Sequence, residues 1–455
     1  MTEELFRPIF IPDKFRDAVS GRAWLQAMLE AEGALAAAEA RAGLIPPDAA
    51  EAIASCCKKG CDAGPFDPED LGRMGRAQGN PVPPLVRVLT EAVSEVSEEA
   101  ARYVHKGATS QDIVDTAAML VARRALDLIL IELDEILRAC ARLADAHRGT
   151  IMAGRTLLQQ ALPTTFGLKA AGWLVSALEA RRRLLDVRSS GLAAQLGGAA
   201  GTLASLGGSG ASVLEGFAQE LGLAEPVVPW HTDRARISEL GAALSLVAGV
   251  LGKISLDVVL MAQTEVGEVA ESPGEGRGGS STLPHKRNPI LSVTAVASTR
   301  RVQDLLGTLQ AAMVGEHERA AGAWHAEWEA LSDALALTGG AATATREALE
   351  DLQVHTDRMR ENLGATGGLL LSEHVTTIVA ERLGRLEAHE LVEAASHRTL
   401  ASGRSLHEEL LAEPALREAL SSEEIDAALD PAHYLGSAQL FVDRALALYR
   451  TEVSA

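Results

Sequence analysis

Ile237–Met261 reads ISELGAALSLVAGVLGKISLDVVLM, and within it Ile237, Leu240, Leu244, Val247, Leu251, Ile254, Val258 and Met261 recur at alternating steps of three and four. That spacing keeps one apolar stripe on one side of a long helix. Leu126, Leu130, Leu133, Leu137, Cys140 and Ala144 repeat it inside a proline-free stretch from Gln111 to His147. Two rods of this length predict a helical bundle. Pro163–Val187 and Pro289–Met313 also read as helical, and the central region shows no alternating β-branched strand pattern. The predicted fold class is all-α.

Composition agrees with that reading. The chain has 455 residues, with 47% apolar residues but only 3% aromatic, a balance that disfavours a β-sandwich or barrel. Lys and Arg number 42 against 62 Asp and Glu, for a net charge of −20. A field of that sign repels nucleic acid and anionic lipid, while one local basic pocket can still hold a small anion. Cys56, Cys57, Cys61 and Cys140 form no disulfide framework and suit a reducing compartment. The N-terminus, MTEELFRPIFIPDKF, lacks the basic-then-apolar order of a signal peptide, so a cytoplasmic location without a membrane partner is expected.

Two composition changes suggest three parts. A Pro/Gly-rich stretch, Gly64–Leu85, breaks up the first third, and shorter helical pieces cut by Gly364, Gly367, Gly368, Gly403 and Pro414 begin near His355. The expected division is an N-terminal helical domain over 1–108, a central long-helix domain over 109–355 and a C-terminal helical domain over 356–455.

Chemistry concentrates in a few segments. Gly274–Pro289, GEGRGGSSTLPHKRNP, crowds Ser280, Ser281, His285, Lys286, Arg287 and Asn288 behind a run of glycines, a loop able to close over an anion. Its GEGRGG also satisfies G-x-G-x-x-G, but no strand precedes it and Pro284 and Pro289 interrupt the required helix. In VHKGATSQDIVD, from Val104, Thr109 or Ser110 is a natural helix cap whose free amides welcome a carboxylate, and His105 upstream is either an acid/base or a polar loop residue. GRTLLQQALPTT, from Gly154, places Arg155, Thr156, Gln159 and Gln160 at an expected helix start, where capping and ligand binding explain them equally. In EHERAAGAWHAEWE, from Glu316, Arg319 offers a fork for a carboxylate, or pairs with Glu316 within a helix. No H-E-x-x-H is present there, and no metal site is expected. PWHTDRAR, from Pro229, precedes the seam helix, with Thr232 or Asp233 as its cap.

Taken together, these segments resemble the fumarase/aspartase superfamily, whose GSSxMPxKxNP loop matches Gly279-Ser280-Ser281-Thr282-Leu283-Pro284-His285-Lys286-Arg287-Asn288-Pro289 with Leu283 in place of Met. Within it the chain looks most like the bacterial 3-carboxy-cis,cis-muconate cycloisomerases, through YVHKGATSQDIVDT, LQQALPTTFGLKAAGWL, QLGGAAGTLASLG, PWHT, GKISLDVVLMAQTEVGEV, EHERAAGAWHAEWE and HYLG. The resemblance implies a homotetramer with active sites shared between subunits and cofactor-free chemistry at a carbon beside a carboxylate. It makes Ser280, Lys286, His105 and Arg319 the catalytic candidates and Thr109, Ser110, Gln159, Ser281, His285 and Asn288 the substrate-binding ones, for a small tricarboxylate. A lyase acting on adenylosuccinate or another succinyl-type acid is the alternative, and a non-catalytic, crystallin-like relative a third. Leu157 stands where superfamily lyases carry a histidine and the muconate enzymes a tryptophan, and Asp233 and Ala235 stand where a nucleotide-type HTQRDR motif would differ.

Overall fold

The computed structural model describes residues 2–273, 278–279, 283 and 285–454. The expected rods form as helices Ser110–Ala146, Phe166–Asp186, Ala235–Met261 and Ile290–Ala311, and a further long helix, Ala323–Glu350, joins them without having been read from the sequence. Every one of the eight seam residues of Ala235–Met261 is buried, as are the six of the Ser110–Ala146 stripe. Burying each leucine of such a stripe contributes roughly 1.5–3 kcal/mol, which outweighs the modest helix propensity of the valines and glycines between them. Ala235–Met261 is also long and apolar enough to cross a membrane, with half of its most apolar window buried inside the protein.

The chain divides into two compact units. The first comprises Met1–Asp134, Glu179–Lys253 and Thr294–Ala344. In it, helix Gly21–Arg41 packs against Pro47–Ala63 and Gly210–Leu221. Ser20 caps Gly21–Arg41 by accepting the Ala23 amide at 3.1 Å. The second comprises Glu135–Leu178, Ile254–Val293 and Thr345–Ala455. Its short C-terminal helices enclose a separate aliphatic core of Val375, Val379, Val392, Leu406, Leu410 and Ile425 with their neighbours. Reciprocal capping boxes, Ser405 with Glu408 and Ser421 with Glu424, start two of these helices and explain how pieces of only seven residues hold their ends.

One segment departs from the helical reading. Ile151–Thr156 and Gln159–Thr165 pair as an antiparallel hairpin, and the following helix begins only at Phe166. Its two-residue turn, Leu157-Leu158, has φ of 50° and 67°, the doubly left-handed geometry that matches strand twist. Leucines carry no signal for that turn. The pairing is secured instead by tertiary contacts within the second unit, in which Arg155 makes a bidentate ion pair with the buried Glu268 at 2.7 and 2.9 Å and Gln160 donates to the Asn362 carbonyl at 3.0 Å. A second two-stranded pairing joins Val269–Ala270 to Gln353–Val354.

Candidate active site

The first unit gathers three of the singled-out segments around Asp112. Helix Ser110–Ala146 starts directly after Thr109, and the Asp112 side chain turns back to accept the Thr109 amide at 2.9 Å. The same carboxylate accepts the Gly197 and Gly198 amides at 2.9 Å each and meets His231 Nε2 at 2.7 Å. Asp112 is fully buried, so these four partners supply the hydrogen bonding that water would otherwise provide. Gly198 lies at φ 68°, and a Cβ there would sit 3.0 Å from the Gly107 carbonyl, so glycine lets the two loops close on each other.

One helical turn further, Asp115 accepts both Nη atoms of Arg234 at 2.8 and 3.0 Å, and the Trp324 indole at 3.0 Å. Arg234 also donates from Nε to Glu327 at 3.0 Å. Burial opposes the charge on Arg234, but Asp115 and Glu327 outweigh it and raise the guanidinium's pKa above its ordinary value. Gln111 ties the two turns together by donating to the His231 carbonyl at 2.8 Å and to Asp115 at 3.0 Å. Asp112, Asp115, His231 and Arg234 were not among the sequence candidates. Their signal was present, since Gln111, Asp112, Asp115 and Thr116 put four polar side chains on the buried face of an otherwise apolar helix start.

Arg319 reaches the rim of this cluster, donating to the Ala199 carbonyl at 2.9 Å. The helical pairing with Glu316 does not form, because the helix begins at Ala323 and Glu316 accepts the Ala321 amide at 2.9 Å instead. Thr232 bonds the His317 carbonyl at 2.9 Å, and Asp233 accepts the Ala235 amide at 3.2 Å, so Asp233 is the residue that caps the seam helix. His105 meets Glu32 at 2.6 Å. Among the described residues no three His, Cys, Asp or Glu side chains are placed to hold a metal ion.

The second unit holds the glycine-rich loop. Its base is pinched where the Asn288 amide donates to the Gly278 carbonyl at 2.9 Å and Gly279 bridges Arg287. Gly278 has φ 70°, and a Cβ would lie 2.7 Å from the Asn288 carbonyl oxygen, so the pinch demands glycine. His285 and Lys286 are exposed and Asn288 is half-buried. Immediately beyond, Glu271 accepts the Leu291 and Ser292 amides at 3.1 and 2.8 Å, capping the next helix and fixing where the loop ends. Ser280 and Ser281 lie outside the described residues. Gln159 is exposed beside the hairpin turn, in the same unit.

Known proteins with this order of elements decide the relationship. A lyase family model matches residues 11–303, and a model described as the adenylosuccinate lyase C-terminus matches 368–445. The chain belongs to the fumarase/aspartase lyase superfamily. Among superfamily members, the 3-carboxy-cis,cis-muconate cycloisomerase of Bradyrhizobium diazoefficiens is 47% identical over 442 residues, covering 97% of each chain. The nitrosuccinate lyase of Streptomyces davaonensis is 46% identical, covering 97% of this chain and 94% of its own. The crystal structure of the 3-carboxy-cis,cis-muconate lactonizing enzyme from Pseudomonas putida superposes with a TM-score of 0.92 at 43% identity, over 99% of this chain and 100% of that one. The superfamily is one of enzymes that process small molecules, and its helical fold is the one described above.

Proposed function

We propose that this lyase-superfamily chain is a 3-carboxy-cis,cis-muconate cycloisomerase, closing its substrate to 4-carboxymuconolactone in the breakdown of aromatic compounds. The observation that carries the reading is likeness along essentially the whole chain, 47% identity to one enzyme of that name and a TM-score of 0.92 to another. In the reaction, one carboxylate oxygen adds across a diene double bond, forming a C–O bond. The electron pair moves onto the carbon beside another carboxylate, and a proton then completes the lactone. No redox step or cofactor is required.

The demands of that step match the residues. Charge developing on the carboxylate beside the reacting carbon needs fixed donors, and Lys286, Asn288, Arg319 and the amides behind Thr109 and Ser110 are the ones assigned, with Ser281, His285 and Gln159 around the substrate. Ser280 or Lys286 moves the proton. The three-domain division at 108/109 and 355/356, a cytoplasmic location and a homotetramer with shared sites belong to the same reading. Ile131, Leu246 and Leu256 on the long helices, 57%, 45% and 43% exposed, are suitable surfaces for partner copies to cover.

A second reading, elimination from a succinyl-type acid, has one observation in its favour, the comparable 46% identity to a nitrosuccinate lyase. Spectrophotometry with 3-carboxy-cis,cis-muconate separates the two: loss of the diene with lactone and no fumarate supports the first, and fumarate released from a substituted succinate with no diene loss supports the second. Ser280→Ala is expected to lower lactone formation by about 10²-fold or more. Near-normal turnover in that variant assigns the proton to Lys286.

A further inference from the structure

His105 has an unusual setting. It is a non-glycine residue at φ 58°, in a region that L side chains rarely adopt, and it precedes Gly107, also left-handed at φ 75°. The strain is held from one side. Glu32, in the middle of helix Gly21–Arg41 and only 1% exposed, meets His105 Nδ1 at 2.6 Å, and Lys106 Nζ donates to the Leu44 carbonyl beyond the end of the same helix at 2.9 Å. Nε2 on the other edge of the ring has no hydrogen-bond partner among the described residues, and the side chain keeps 18% of its surface exposed.

The loop that carries the ring joins the cluster already described. Gly107 packs against Gly198, whose neighbour Ala199 receives Arg319. We infer that Glu32 is the positioning residue of His105, fixing the ring through Nδ1 so that Nε2–H is presented as a cationic donor to a carboxylate of the substrate. The inference rests on the reading that His105 lies in the active site, and it adds a residue that touches no substrate.

The charges around the ring favour the imidazolium. Glu32 faces it from helix Gly21–Arg41 and Asp112 from helix Ser110–Ala146; Glu39, on the same helix as Glu32, is held in its neutral form by burial up to about pH 8 and adds its charge only above that, and Lys106 is the cation on its own loop. Burial alone would lower the pKa of His105, but the charge and hydrogen bond of Glu32 outweigh burial and hold it above the ordinary histidine value. A histidine with a raised pKa holds its charge to higher pH than an ordinary imidazole and loses it as pH rises through that pKa. Substrate capture should therefore weaken on the alkaline side, and removal of the Glu32 charge should move that weakening to lower pH.

The test uses the full-length enzyme with 3-carboxy-cis,cis-muconate, measuring kcat and KM from pH 6 to 9 for wild type, Glu32→Gln, Glu32→Asp and His105→Gln. Glu32→Gln is expected to raise KM about 10-fold at pH 7.5, the scale of one charge-assisted hydrogen bond, with a smaller change in kcat and an alkaline limb of kcat/KM shifted to lower pH. Glu32→Asp should recover part of the loss. An unchanged KM and an unchanged limb in a folded Glu32→Gln overturn the inference. If His105→Gln also leaves KM unchanged, the placement of His105 in the active site fails with it; if only His105→Gln is impaired, Glu32 alone is misassigned. Where Glu32→Gln does not fold, or carboxymuconate is not turned over, NMR titration of 13C-histidine-labelled wild type decides, with His105 assigned through His105→Gln. A midpoint above about 6.5 supports the inference, and one at or below it overturns it.

Discussion

Asp112 in the first unit and Lys286 in the second both sit beside glycine-containing loops, yet their surroundings are opposite. Asp112 is fully buried and every contact it makes is internal, to the amides of Thr109, Gly197 and Gly198 and to His231. Lys286 is exposed, on a loop whose described base is pinched by backbone contacts at Gly278 and Gly279. A buried charge with all its partners supplied by the protein holds loops in place. An exposed cation that costs little to keep in water is free to be spent on a substrate. The difference separates a residue that builds its loops from one that the proposed function sets to act on a substrate.

That separation can be broken by mutation. Asp112→Ala should have the largest effect, about 3–5 kcal/mol of stability in a denaturant titration, because it leaves a buried histidine, the buried amides of Gly197 and Gly198 and the half-buried amide of Thr109 without their acceptor. A loss below about 1 kcal/mol would make Asp112 dispensable scaffolding. Lys286→Ala should show the reverse pattern, turnover down about 10²–10³-fold, equivalent to about 2.7–4 kcal/mol of barrier, with stability within about 0.5 kcal/mol of wild type. A matching fall in stability would erase the contrast between the two regions.

Glu39 sharpens it further, being a carboxylate buried as deeply as Asp112 with neither oxygen hydrogen-bonded among the described residues. Burial pushes its pKa from 4.5 to about 8 against the pull of Lys106. The folded chain therefore keeps a proton that the unfolded chain releases, so Glu39 makes stability fall as pH rises between 4.5 and about 8. Glu39→Gln removes that slope, and its advantage over wild type should grow from near zero at pH 5 to about 1–3 kcal/mol at pH 8. Parallel pH profiles of the two melting temperatures would show that Glu39 is ionised and paired after all.

The long helices were legible because burial of one face requires a repeat of three and four, and the seam residues from Ile237 to Met261 obey it without exception. The hairpin at 151–165 was not, because its turn is made by two leucines and its register is held by Glu268 and Asn362, more than a hundred residues away in sequence. Of the site, the glycine loop and the helix start at Ser110 stood out as dense local clusters of polar types. Asp112 with His231, and Asp115 with Arg234, did not, since each pair joins positions 119 residues apart.

The sequence by itself determined the helical class, the loop carrying Lys286 and Asn288, and the family likeness, all of which depend on residues near one another in the chain. Only the tertiary structure decided that Asp112 organises three loops, that Arg319 turns to a backbone carbonyl instead of to Glu316, and that His105 is held by Glu32. Spacing along a chain records which face of an element is apolar, but it does not record which distant partner satisfies a buried charge.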